Sequence, residues 1–143
     1  MLTDLKRPTI VGTAIRSTVA AVVAVTVVFS IAKASGDDLI VGPEFGAGEP
    51  KELKLWVALI ATVIVGGFLG SALAWLTQRF TRQPRVAFLI VGALGLIGYG
   101  ILAAVRSEAT STALWLNAMH LAAAIPIVGA LAYALNPQRQ GKL

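Results

Sequence analysis

Four long apolar runs, residues 17–32, 55–76, 86–105 and 113–135, constrain this chain more than any other feature. Most come close to the ~20 residues that carry a helix across ~30 Å of hydrocarbon. The first is shorter, but Arg16 and Lys33 at its ends have long stems that let their charges reach the two interfaces. In lipid every backbone polar group must be satisfied within its own segment, so such runs are helices and not isolated strands. Composition agrees: 57% of the 143 residues are hydrophobic and 13% charged, against about 25% charged in a soluble domain. The predicted fold is all-α, a single integral-membrane four-helix bundle spanning the whole chain. Its helices are expected at about 13–34, 52–77, 85–105 and 112–135, with one long outer loop at 35–51.

The charges orient the bundle. Lys6, Arg7, Arg16, Arg79, Arg82, Arg85, Arg139 and Lys142 fall on one side, where Asp4 is the one acid. Lys33, Lys51, Lys54 and Arg106 fall on the other, with Asp37, Asp38, Glu44, Glu49, Glu52 and Glu108. An excess of Lys and Arg marks the cytoplasmic side, so both termini are expected in the cytoplasm. The basic pI therefore reads as a topology signal that also attracts membrane lipids. No nucleic-acid partner is expected, because no basic stretch carries interleaved aromatics. The start of the chain imitates a secretory signal, with Ala32-Lys33-Ala34 as a cleavage-like triplet. Three further spans follow, and an even number returns the chain to the basic side, so the segment is expected to be a retained helix. With no cysteine present, disulfides, thiolate catalysis and Cys-held metals are excluded.

The connection at 35–54 holds four glycines and two prolines and is expected to be neither sheet strand nor continuous helix. Leu39, Ile40, Val41 and Phe45 are too apolar for a solvated linker, so the loop should dip onto the bundle as a lid or a plug. Residues 49–54 are expected to open the second helix, with Pro50 in its first turn. Short connections at 77–85 and 106–112 make helices two and three, and three and four, antiparallel neighbours. Gly66, Gly70 and Ala74 form a small-residue ridge on helix two, and Gly92, Gly95 and Gly98 a similar stripe on helix three. Such residues let backbones approach closely. The simplest use is packing helix two on helix three; a homodimer, or a larger membrane complex, through the helix-two ridge is the alternative.

The candidate site lies in the last span. Asn117 and His120 are three residues apart, on one helical face, about 10 Å below the outer surface at 1.5 Å per residue. Pro126 lies deeper and is a point where the helix can bend. Intramembrane ionisable side chains favour function; the structural alternative is hydrogen bonding between helices, worth ~0.6–2 kcal/mol. One histidine supplies neither a bis-His haem nor a three-ligand zinc site, so no metal and no cofactor are expected. The matching outer-side residues are Asp37, Asp38, Glu44, Phe45 and Trp115. Trp56, Trp75 and Tyr133 suit an interfacial aromatic belt. Ile97-Gly98-Tyr99-Gly100 matches the end of a potassium filter, but lies within an apolar span rather than an extended pore loop.

From about Arg16 onward the chain resembles a family of small, uncharacterised actinobacterial membrane proteins grouped as a domain of unknown function. The residues that carry the resemblance are Gly36-Asp37-Asp38-Leu39-Ile40-Val41-Gly42-Pro43, the Gly-rich second span ending near 77–84, and Ala118-Met119-His120-Leu121. The resemblance implies a four-helix fold in a bacterial plasma membrane, and no known activity.

The expected function is a binding or accessory protein holding a lipid or amphipathic ligand in an outer-leaflet cavity. Asn117 and His120 would line that cavity and residues 37–45 would cover it. An enzyme using His120 as general acid or base is the second reading. A structural subunit of a larger complex is the third.

Overall fold

The computed structural model describes residues 9–43 and 48–135. Four helices are each long and apolar enough to cross a membrane: α1 (Ile10–Ala34), α2 (Leu55–Phe80), α3 (Pro84–Arg106) and α4 (Thr110–Ala134). The Thr9 hydroxyl caps α1, accepting from the Gly12 amide at 3.0 Å. Pro84 opens α3 at a position that has no intrahelical donor to lose.

Helix α1 shows how the bundle is patterned. Ala14, Ser17, Ala21, Val25 and Ala32 are buried, while Val11, Ile15, Val19, Val23, Val27 and Ile31 all face outward. Small residues inside and branched apolar residues outside invert the pattern of a water-soluble helix. Close backbone approach replaces a hydrophobic drive that lipid does not supply. Helix α1 packs most extensively on α4, which also contacts α3 and α2.

The second span is not uniformly wound. Residues Thr62–Leu69 form π-helical turns between α-helical ends, and they contain Gly66 and Gly67. A Cβ on Gly66 would meet Ile127 of α4 at 2.5 Å; one on Gly67 would meet Thr18 of α1 at 2.7 Å. Gly70 faces Ile127 and Leu131 of α4, and Ala74 is fully buried. The expectation that the α2 ridge packs on the α3 stripe is therefore corrected. Branched side chains of α4 and Thr18 of α1 fill the α2 ridge, because a shallow row of glycines accepts such knobs closely. On α3, Gly92 lies 4.0 Å from Val128 of α4, whereas Gly95 and Gly98 face open space.

The long connection is more ordered than expected. Gly36 (φ 88°) ends α1, with its amide donating to the Lys33 carbonyl and the Asp37 amide donating to that of Ala32. These are the two hydrogen bonds of a left-handed helix stop. Ile40–Val41 (β1) then pairs antiparallel with Lys51–Glu52 (β2), Ile40 opposite Glu52 and Val41 opposite Lys51. Residues 49–54 thus do not open α2, and the expectation of no strand is corrected. Their backbone is taken by β1 and by the Leu53 amide donating to the Leu39 carbonyl at 3.0 Å, so α2 starts at Leu55. Val41 also bridges Ser107, and the Gly42 amide donates to the Arg106 carbonyl at 2.8 Å. These bonds seat the hairpin on the end of α3.

Leu39 anchors it. Its φ of 52° is unusual for a residue with a branched side chain. The strain is held because the side chain is fully buried with Val25, Ala32, Ala103, Leu116 and Met119. A second cluster, with Phe88, Ile127, Leu131 and Leu135, fills the opposite end.

Candidate functional site

The chain turn after α1 and the α3–α4 turn face each other at the hairpin end and enclose an open depression of about 390 Å³. Asp37, Asp38, Glu108, Ser111, Thr112 and Trp115 contribute to its wall. Asp37 organises it. One carboxylate oxygen accepts from the Leu39 amide and from the Thr112 hydroxyl, each at 2.8 Å. Ser111 adds a further hydrogen bond, the largest of the influences that hold the Asp37 carboxyl below its ordinary pKa; partial desolvation opposes it. Asp37 is thereby a negative charge at the first turn of α4, where the helix dipole favours one. It joins the end of α1, the strained Leu39 and the start of α4 through one side chain.

Asp38 and Glu108 instead present exposed carboxylates to the depression. Asp38 lies 3.7 Å from the Lys33 ammonium, which makes its closer pair with Glu52 at 2.6 Å. That ammonium hydrogen bond holds the Glu52 carboxyl below its ordinary pKa. Both pairs are at the surface, where such contacts contribute little to stability. Trp115 is half-buried, one side on the cluster beneath Leu39 and the other on the depression.

Asn117 and His120 are elsewhere. The Asn117 amide donates to the Ala113 carbonyl at 2.9 Å, and its oxygen is close enough to α3 that a Cβ on Gly100 would come within 2.8 Å. The His120 ring lies face to face with Tyr99, centroids 3.5 Å apart and planes 11° from parallel. Its Nδ1 is 3.3 Å from the Leu116 carbonyl. Both polar side chains thus turn toward α3, and neither lines the depression. The structure groups Asp37, Asp38 and Trp115 at the rim, and groups Asn117 and His120 with Gly100 and Tyr99 along the α3–α4 seam. Glu44 and Phe45 lie outside the described residues. Among the described residues no group of three His, Asp or Glu side chains is arranged to hold a metal ion.

Sequence reasoning missed Tyr99, Ser111 and Thr112, and named Glu108 only as an outer-side carboxylate. A signal for Tyr99 was available: across a short antiparallel turn, residues equally far from the turn on either side meet. That rule places Tyr99 opposite Asn117, within one helical turn of His120. Ile97 to Gly100 lie in regular helix, with their carbonyls in the backbone ladder rather than in a filter.

The chain belongs to a family of unknown function, DUF6069, whose model matches residues 5–137. No curated protein and no solved structure matches it.

Proposed function

We propose that this member of the family is a binding or accessory protein of a bacterial plasma membrane that takes the polar head of a lipid or amphipathic ligand into the rim depression. It is read as one four-helix transmembrane domain, multi-pass, with both termini cytoplasmic and the hairpin on the outer face. The observation that carries this is the depression itself, walled by two exposed carboxylates and an indole above an apolar bundle. A volume of about 390 Å³ is at the lower end of the ~300–1,000 Å³ of small-molecule sites. Being open and mostly polar, it suits a headgroup and not a whole amphiphile; the tail would lie along the outward-facing apolar helices. Acidic groups beside an indole favour heads carrying a cation or several hydroxyls. The eight-to-four division of basic residues supports the orientation.

An acid–base role for His120 has less support. Among the described residues no carboxylate makes an ion pair with it, and its ring is covered on one face by Tyr99.

The test is native mass spectrometry of the protein released from its own membranes, beside Trp115→Ala and Asp38→Asn/Glu108→Gln. A small amphiphile retained by wild type and lost from both variants is expected. Retention unchanged in both, or none in wild type, refutes the reading. Reporter fusions at each terminus test orientation separately; both should report the cytoplasm.

A further inference from the structure

We propose that the end of the bundle opposite the hairpin is a binding surface for anionic phospholipids. Arg79, Arg82 and Arg85 would hold the phosphate headgroups, and Phe80 would be set among the acyl chains. The inference does not depend on the rim depression.

Three observations carry it. First, the described basic residues at the α2–α3 end are all arginines. Arg16, Arg79, Arg82 and Arg85 belong to that end of the described chain, whereas Lys33, Lys51, Lys54 and Arg106 belong to the hairpin end. Fixing topology needs positive charge alone, and lysine would serve equally. A planar guanidinium adds a fork that binds two phosphate oxygens at once.

Second, none of the described acids lies at this end. The described acids, Asp37, Asp38, Glu49, Glu52 and Glu108, all sit at the hairpin end, as do both ion pairs among the described residues, which are made by Lys33. Arg79 is in the last turn of α2 and Arg85 is the second residue of α3, with Arg82 in the three-residue turn between them. All three are exposed, so one tight turn presents three guanidinium groups.

Third, Phe80, the last residue of α2, is 72% exposed beside Arg79, and Trp75 is 53% exposed just over one turn deeper. A bare phenyl ring next to three cations is poorly suited to water. It is well suited to the boundary where headgroup phosphates meet acyl chains. A soluble polyanion would satisfy the arginines and leave Phe80 unexplained, so the lipid is the occupant the surface fits.

The experiment uses the full chain in dodecyl maltoside, with phosphatidylglycerol and phosphatidylcholine offered in equal amounts and retained lipid counted by native mass spectrometry. Wild type should prefer phosphatidylglycerol. Arg82→Gln should lower that preference about fivefold, since a basic residue at an anionic surface contributes about 1 kcal/mol. The triple change of Arg79, Arg82 and Arg85 to Gln should abolish it. Arg82→Lys separates the fork from the charge and should retain only part of the preference. Lys51→Gln/Lys54→Gln, at the other end, should leave it unchanged. Melting in lipid-free detergent identifies any variant that fails to fold, and the single Arg82→Gln then stands as the test. Equal retention of the two lipids by wild type overturns the proposal. So does an undiminished preference in the triple variant, or an equal loss in the lysine control. Stabilisation of the protein by inorganic phosphate as strong as by phosphatidylglycerol also overturns it, in favour of a free anion.

Discussion

Replacing Gly67 by alanine tests how α1 and α2 are held together. The new Cβ would sit 2.7 Å from Thr18 Oγ1, 3.1 Å from its Cγ2 and 3.5 Å from its Cβ. Ordinary contact begins near 3.4 Å, so about 0.7 Å must be found. Thr18 has little to give: its β-branched side chain has few rotamers in a helix, and its Cβ moves only with the α1 backbone. Overpacking of this kind costs about 1–3 kcal/mol, and loss of a helical glycine returns about 1 kcal/mol. The expected net is about 0–2 kcal/mol destabilising. Gly95→Ala, where nothing lies within 4 Å, keeps only the favourable propensity term. Because that term is common to both, the difference between the two variants isolates the packing, about 1–3 kcal/mol. At roughly 3 °C per kcal/mol for a chain this size, the two melting temperatures should separate by about 3–9 °C. Thermal melting in detergent reads it, with Gly98→Ala as a second open-space control. Equal shifts for Gly67→Ala and Gly95→Ala would refute the close α1–α2 approach.

Leu39→Ala should cost about 2–5 kcal/mol, as for other fully buried leucines, and should loosen the hairpin; faster amide exchange at 40–42 and 51–53 than in wild type checks it. The depressed Asp37 pKa makes stability pH-dependent: a carboxyl whose folded pKa lies below its unfolded one stabilises fully above the unfolded value, and that contribution is lost as pH falls through the folded value. Wild type should therefore lose stability below about pH 4 more steeply than Asp37→Asn, and melting curves between pH 3 and about 7 would expose parallel behaviour if the reasoning is wrong. The Tyr99–His120 stack should show a coupling of about 0.5–1.5 kcal/mol in a double-mutant cycle with Tyr99→Leu and His120→Leu; additive losses would mean that the rings meet without interacting.

Four helices could be read from the chain because hydrocarbon leaves a long apolar backbone almost no alternative. The spacing of Asn117 and His120 on one face was equally legible, since it follows from helical geometry alone. Which neighbour that face meets was not. A helix wheel of alanines is nearly symmetric, and it took the assembled bundle to turn His120 onto Tyr99 and Asn117 onto Gly100. The same limit applies to the glycine ridge: the sequence identifies a surface that accepts close approach, but Ile127, Leu131 and Thr18 reach it only through the arrangement of α4 and α1. The hairpin depended most on tertiary structure. Two-residue strands have too little local preference to be recognised, and Leu39 holds its left-handed conformation only because a formed core encloses its side chain. Local chemistry thus determined the spans, while long-range packing decided which polar groups gather at the rim and which are spent between helices.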